Sequence, residues 1–264
     1  MQHDYAFSLP HPDAVSAAHS ERCADYIRAR ISDAGGSISF AEFMHYALYA
    51  PGLGYYSAGA RKFGADGDFV TAPEISPLFG RVVAQQCAPV LRDSGDSSLL
   101  EFGAGSGRLA LDMLRALEAL DALPVEYRIL EVSADLRERQ QQLLHAELPH
   151  LADRIVWLDR MPAAHRGVVV ANEVLDALPV ERFMRRHDGV YQMRVIEEDG
   201  EFVFVDERAP EVLDRAVRGI EGHIGARLPD NYISEVSLAA PGWLADVARM
   251  LEHGLVLLFD YGVS

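Results

Sequence analysis

The chain has 264 residues, 49% of them hydrophobic and 24% charged, which is ordinary globular usage. That composition excludes a disordered or fibrous chain and leaves one elaborated domain, or a core with an added lobe. Asp and Glu number 40 against 24 Lys and Arg, for a formal net charge of −16, a field that repels nucleic acid and favours cationic ligands and basic protein partners.

The first dozen residues read as a tail. A helix is predicted over residues 20–34, closed by Gly35-Gly36. Ser39 and Glu42 form an S-x-x-E capping box that opens a second helix, running to Tyr49 and stopped by Pro51. Residues 51–76 mix many glycines and prolines with aromatics, the mark of a functional loop, and helical spacing returns over 76–91.

From Ser98 the pattern becomes strand–helix alternation. Strands are predicted at 99–102, 127–132, 155–158 and 168–171, with helices at 107–120 and 134–146 between them. This rhythm implies right-handed crossovers and a buried parallel sheet, a doubly wound α/β fold. Residues 181–209 interrupt it. Asp188-Gly189 and Asp199-Gly200 sit between alternating segments and predict two type I′ hairpins, an antiparallel insertion. Helices near 210–221 and 241–252 follow, then a fifth core strand over 255–260.

Cys23 and Cys87 lie far apart with no C-x-x-C, which points to two buried thiols in a reducing compartment. No basic and apolar leader opens the chain, and its longest apolar runs are too short to span a bilayer. A soluble intracellular protein is expected, cytoplasmic if bacterial, with no membrane span. The ten histidines are scattered without ligand-like spacing, so no metal site is expected.

The most informative stretch is Glu101-Phe102-Gly103-Ala104-Gly105-Ser106-Gly107-Arg108. A strand running into glycines and then a helix brings backbone N–H groups and a helix N-terminus to a ligand. Arg108 stands where the dinucleotide fingerprint needs its third glycine, which disfavours a NAD-linked oxidoreductase. An acid before a tight glycine turn suits S-adenosyl-L-methionine, whose ammonium and sulfonium carry no pyrophosphate. Glu101 would hold its amino-acid end, directly or through water, over a turn made by Gly103, Ala104, Gly105 and Gly107. Glu131 ends the next strand, where a carboxylate accepts from both ribose hydroxyls; NAD enzymes share that placement.

Asn172-Glu173-Val174-Leu175-Asp176 follows the fourth strand, at the sheet end where ligands sit. Asn172 and Glu173 read as functional, Asn172 beside the cofactor as well as the acceptor. Asp176 reads equally as a turn cap. Asp260-Tyr261-Gly262 ends the fifth strand at the same face.

Taken together, Tyr49-Ala50-Pro51-Gly52-Leu53-Gly54-Tyr55-Tyr56, the string Gly67-Asp68-Phe69-Val70-Thr71-Ala72-Pro73-Glu74-Ile75-Ser76-Pro77-Leu78-Phe79-Gly80, and the three motifs above resemble the MidA-type methyltransferases. That family includes the mitochondrial arginine methyltransferase needed for respiratory complex I assembly. The resemblance implies a class I S-adenosyl-L-methionine-dependent fold of two parts. Residues 1–96 would be an N-terminal helical lobe with a cofactor-covering loop, and 97–264 a Rossmann-like core with hairpins inserted at about 181–236. Thr71, Pro73, Glu74 and Ser76 would lie beside the methionine end of the cofactor. The class I sheet continues past its fifth strand, so its last strands are expected beyond Ser264.

The implied activity is methylation of a protein arginine, possible substrates including a complex I subunit. Carboxylates would orient the guanidinium, Glu173 first, with Asp176, Glu74 and Glu235 behind it. Two other readings stay open: an assembly chaperone that binds the cofactor without turnover, and a small-molecule methyltransferase.

Overall fold

A computed structural model describes residues 12–57, 71–93 and 96–262. The N-terminal tail lies almost wholly outside the described residues, as does the Gly67-Asp68-Phe69-Val70 part of the loop string.

Helix α1 (Ala14–Asp33) begins earlier than its spacing predicts because Asp13 caps it, its carboxylate accepting from the N–H groups of Val15 and Ser16. Strand β1 (Ile38–Ser39) leads into α2 (Phe40–Tyr49). The predicted capping box is formed: Glu42 N–H donates to Ser39 Oγ at 3.1 Å, and Ser39 N–H donates to Glu42 Oε2 at 2.8 Å. A single helical turn, α3 (Ala72–Ile75), precedes α4 (Leu78–Asp93).

The alternating half follows as β2 (Ser98–Phe102), α5 (Arg108–Ala119), β3 (Tyr127–Leu130), α6 (Ala134–Glu147), β4 (Ile155–Leu158) and β5 (His165–Asn172). The insertion comprises β6 (Glu181–Arg186), β7 (Gly189–Glu198), β8 (Glu201–Arg208), α7 (Glu211–Ile224) and β9 (Tyr232–Val236). Helix α8 (Ala240–Met250) then runs straight into β10 (Leu251–Phe259), which starts before the predicted 255.

The parallel sheet has the order β10-β5-β2-β3-β4, with every neighbouring pair parallel. From central β2 the chain winds outward to β3 and β4, then crosses back to β5 and β10. Alternate residues serve opposite faces. Leu99, Tyr127, Ile129, Val168 and Val170 pack against α4 and α5, while Leu100, Phe102, Val169 and Ala171 pack against Trp243, Val247 and Met250 of α8. Burial on both faces explains why β2 after Ser98 reads as an apolar run broken only by Glu101. The doubly wound sheet is as predicted.

The antiparallel sheet has the order β1-β7-β6-β9, with β8 on the other edge of β7. One hairpin is type I′ as expected, with Asp199 at φ 52° and Gly200 at φ 91°. The other is not. Arg186 pairs with Gly189, so the loop residues are His187 and Asp188, and neither has positive φ. Gly189 opens β7 instead, with the Arg208 guanidinium lying over it and donating to the Asp188 carbonyl at 2.9 Å. Helices α1 and α2 pack on this sheet rather than on the parallel one: Ile27, Ile31, Ile38 and Val195 form one core with Phe40, Phe43 and Phe202 around it. No helix among the described residues is long and apolar enough to cross a membrane.

Candidate functional site

The sheet order reverses between β2 and β5, so a crevice opens beyond their carboxyl ends. Strand β2 delivers the chain into a turn where Gly103, Gly105 and Gly107 have φ of 61°, 53° and 83°, conformations that side chains disfavour. A Cβ on Gly103 would stand 3.2 Å from Val174 Cγ2, and one on Gly107 would stand 3.4 Å from Gln140 Cγ. The backbone is therefore clasped between the segment after β5 and helix α6. Ala104 is buried beneath the turn. Gly107 caps α5 with no side chain of its own; Ser106 Oγ accepts from the Arg108 N–H at 3.3 Å, and the start of α5 faces the turn.

Glu131 lies just past β3 and is half-buried. Its Oε1 accepts from Ser133 N–H at 3.0 Å and its Oε2 from Gln140 Nε2 at 3.1 Å. Burial holds its carboxyl above the usual range, against those hydrogen bonds and others from the backbone of Gly105 and Val132. Glu101 is placed differently. It is 2% exposed, on the β2 face that meets α4 and α5, and accepts from the Tyr127 hydroxyl at 2.7 Å. Burial pushes it up to about 7, with the Tyr127 bond opposing and the Glu131 charge adding.

Beyond β5, Glu173 holds φ 53°, rare for a residue with a side chain, and its N–H donates to the Phe259 carbonyl at 2.8 Å. That bond ties the end of β5 to the end of β10. Asp260 Oδ2 accepts from Leu175 N–H at 3.0 Å and from Asp176 N–H at 3.2 Å, so Asp260 shapes the turn that presents Glu173 and Asp176. Burial raises the Glu173 carboxyl; the Tyr261 and Asn172 hydrogen bonds oppose, and the charges of Asp176 and Asp260 add. Asp176 is raised by loss of water and by Asp260.

The N-terminal segment closes over these acids. The Tyr49 hydroxyl donates to the Ala177 carbonyl at 2.8 Å, and Ser133 Oγ donates to the Tyr56 carbonyl at 2.5 Å. The two tyrosine rings stack with centroids 5.5 Å apart. Burial and the charges of Asp176, Glu173 and Glu131 raise the Tyr56 phenol, which keeps it protonated. Thr71 precedes α3, Pro73 is buried, and Glu74 accepts a hydrogen bond from Ser106 Oγ in the glycine turn. Glu235 lies on β9, in register with Arg182 of the antiparallel sheet.

The crevice thus brings together Glu74, the glycine turn, Glu131, Asn172, Glu173 and Asp176. Sequence reasoning missed Gln140, Ser133, Tyr49 and Tyr56 beside this candidate site, and Tyr127 as the partner of buried Glu101. Gln140 had a signal: Leu136, Gln140 and Leu144 share one buried helix face at spacing four, and a lone amide in an apolar stripe asks for a partner.

Residues 82–264 match the family described as "Putative S-adenosyl-L-methionine-dependent methyltransferase". The protein arginine methyltransferase NDUFAF7 homolog, mitochondrial, of Drosophila melanogaster is 31% identical over 95% of this chain and 63% of its own length. The Danio rerio protein arginine methyltransferase NDUFAF7, mitochondrial, is 33% identical over 59% of this chain and 42% of its own. Among solved structures, a Burkholderia thailandensis protein bound to S-adenosyl-homocysteine is 43% identical with a TM-score of 0.88, over 97% of this chain and 66% of that one. A second structure from that organism is 41% identical with a TM-score of 0.85. The chain spans about two thirds or less of the length of these relatives.

Proposed function

This chain belongs to the family of S-adenosyl-L-methionine-dependent methyltransferases, and from that premise we propose that it binds S-adenosyl-L-methionine in the crevice and methylates an arginine of a protein, in a step linked to respiratory complex I assembly. Its parallel sheet is the class I, Rossmann-like arrangement that the sequence predicts. The arginine acceptor follows the names of the curated relatives, and a complex I subunit is its proposed source. On this reading the protein works in a reducing interior, the cytoplasm if it is bacterial, where Cys23 and Cys87 stay as thiols.

The observation that carries the proposal is the acidic ring around the positive-φ glycine turn. Gly103, Gly105 and Gly107 hold the turn in left-handed conformations packed against Val174 and Gln140, which leaves it a bare backbone, and Glu131, Glu173, Asp176 and Glu74 lie around it. This set fits a cationic nucleoside without phosphates and opposes a pyrophosphate. Glu131 would hold the ribose hydroxyls. Gly103, Ala104, Gly105, Gly107, Thr71, Pro73, Glu74 and Asn172 would line the methionine end. Glu101, sealed beneath the turn, would act on the amino-acid end through water or the turn's backbone.

When bound, S-adenosyl-L-methionine supplies a methyl group on a positively charged sulfur, open to in-line attack. The carboxylates of Glu173 and Asp176 would accept from the planar guanidinium and hold one nitrogen on the line of attack, a positioning effect on the order of 7–11 kcal/mol in favourable cases. Such a transfer would form an N–C bond at the expense of the S–C bond, whose electron pair stays on sulfur, and the nitrogen would pass a proton to Glu173 or Asp176. Carboxylates with raised pKa beside the forming cation stabilise it and take that proton without ever deprotonating free arginine.

Incubating the full-length protein with methyl-labelled cofactor and a lysate should label a protein whose hydrolysate contains methylarginine. Glu173→Gln should cut that labelling at least a hundredfold while S-adenosyl-homocysteine binding stays within about threefold. Unchanged transfer in Glu173→Gln would remove Glu173 from the mechanism. Tight cofactor binding with no labelled product would favour the chaperone reading.

A further inference from the structure

Gln140 is fully buried in α6, and both of its polar atoms are engaged. Its Nε2 donates to the Gly105 carbonyl at 2.9 Å and to Glu131 Oε2 at 3.1 Å, and its Oε1 accepts from Trp157 Nε1 at 3.0 Å. An indole N–H only donates, so Trp157 on β4 decides which end of the amide faces the turn. A flipped amide would set N–H against N–H on one side, and oxygen against a carbonyl and a carboxylate on the other. The same side chain braces the turn sterically, its Cγ lying 3.4 Å from the position of a Cβ on Gly107. Leucine would fill this volume, as Leu136 and Leu144 do on either side. The amide adds a bridge between two loops that leave different strands.

From this geometry we propose that Gln140 is a positioning residue for the nucleoside half of the cofactor, oriented by Trp157. It holds the glycine turn and Glu131 at one fixed spacing. This rests on reading the crevice as the cofactor site. Gln140 anchors one oxygen of Glu131 and the Ser133 N–H anchors the other, so the carboxylate is not free to rotate away from a ribose diol. Without the amide, the Gly105 carbonyl and Glu131 Oε2 lose a shared donor, and the two walls of the nucleoside site are linked only through the Gly105 backbone bond to Glu131.

Calorimetry on the full-length protein tests this with S-adenosyl-homocysteine and its 2′-deoxy counterpart, alongside thermal melting. The wild type should prefer the parent compound by about tenfold or more, the usual effect of a hydrogen bond to a charged group. Gln140→Leu should weaken the parent by about tenfold and shrink the preference to within about twofold, because Glu131 Oε2 loses the side-chain donor that fixes it against the turn. Trp157→Phe keeps a ring and removes only the orienting donor, so its values should fall between those two. A folded Gln140→Leu with wild-type affinity and preference overturns the proposal. So does equal weakening of both compounds, which marks a merely structural residue. If Gln140→Leu does not fold, Trp157→Phe decides, and unchanged binding in that variant overturns the proposal. A wild type that binds neither compound removes the reading of the crevice, and this inference with it.

Discussion

At the scale of single residues, the acids of this crevice are held in protonation states and conformations that cost stability. Glu101 has its pKa raised from 4.5 to about 7 by burial. Between those values the folded state binds the extra proton, so stability falls as pH rises through that window and levels above it. The charged form thus weakens the fold by on the order of 3 kcal/mol above neutrality. Glu101→Gln keeps an acceptor for Tyr127 and removes the charge. Its stability advantage over the wild type should be small near pH 5 and grow toward pH 8 in denaturant titrations; a constant difference would show that Glu101 ionises without penalty. Glu173 carries a second cost, since φ 53° is about 1–2 kcal/mol unfavourable for a residue with a Cβ. Glu173→Gly should be at least as stable as the wild type in thermal melts while losing methyl transfer. A clear loss of stability would mean that the side-chain contacts of Glu173, rather than its chemistry, hold it in that conformation.

At the scale of elements, local signals decided what could be read. Ser39 and Glu42 announced α2 because a capping box is a short-range device, and both of its bonds are formed. Ser39→Ala should therefore lower stability by about 1 kcal/mol, seen as a shift of the denaturation midpoint at constant slope, with S-adenosyl-homocysteine affinity unchanged. A loss of affinity would instead mean that the α2 cap is coupled to the crevice. The parallel strands were equally legible, since burial on both faces gives continuous apolar runs. Elements defined by distant partners were not. Strand β1 has only two residues and exists because Ile38 pairs with Val195, and β9 is mostly exposed and is held by β6. The hairpin at Asp188-Gly189 misled because Asp-Gly marks a tight turn without fixing which residues occupy it. There the pairing of Arg186 with Gly189 governs. The site divides the same way. Gly103–Gly107, Glu131 and Glu173 stand at strand ends and are candidates by position, while Tyr49 and Tyr56 reach the crevice through bonds to Ala177 and Ser133 far along the chain.

At the scale of the whole molecule, the net charge of −16 becomes a statement about association. Many arginines are already paired on the surface, among them Arg28 with Glu21 and Asp25, Arg137 with Asp159 and Arg218 with Asp214, so unpaired acids dominate the outward field. On the proposed function, a basic protein segment carrying an acceptor arginine would be drawn to that surface before it meets Glu173. Such attraction acts over a Debye length, roughly 10 Å at 0.1 M salt and 3 Å at 1 M, whereas cofactor contacts act within the crevice. The KM for a peptide with lysines and arginines flanking its acceptor should therefore rise several-fold between low and high salt, while S-adenosyl-homocysteine affinity changes by less than about twofold. A matched peptide with serines in place of the flanking cations should start with a higher KM and respond less to salt. Equal salt responses for the two peptides would show that recognition is confined to the arginine itself and that the acidic surface takes no part in capturing the substrate.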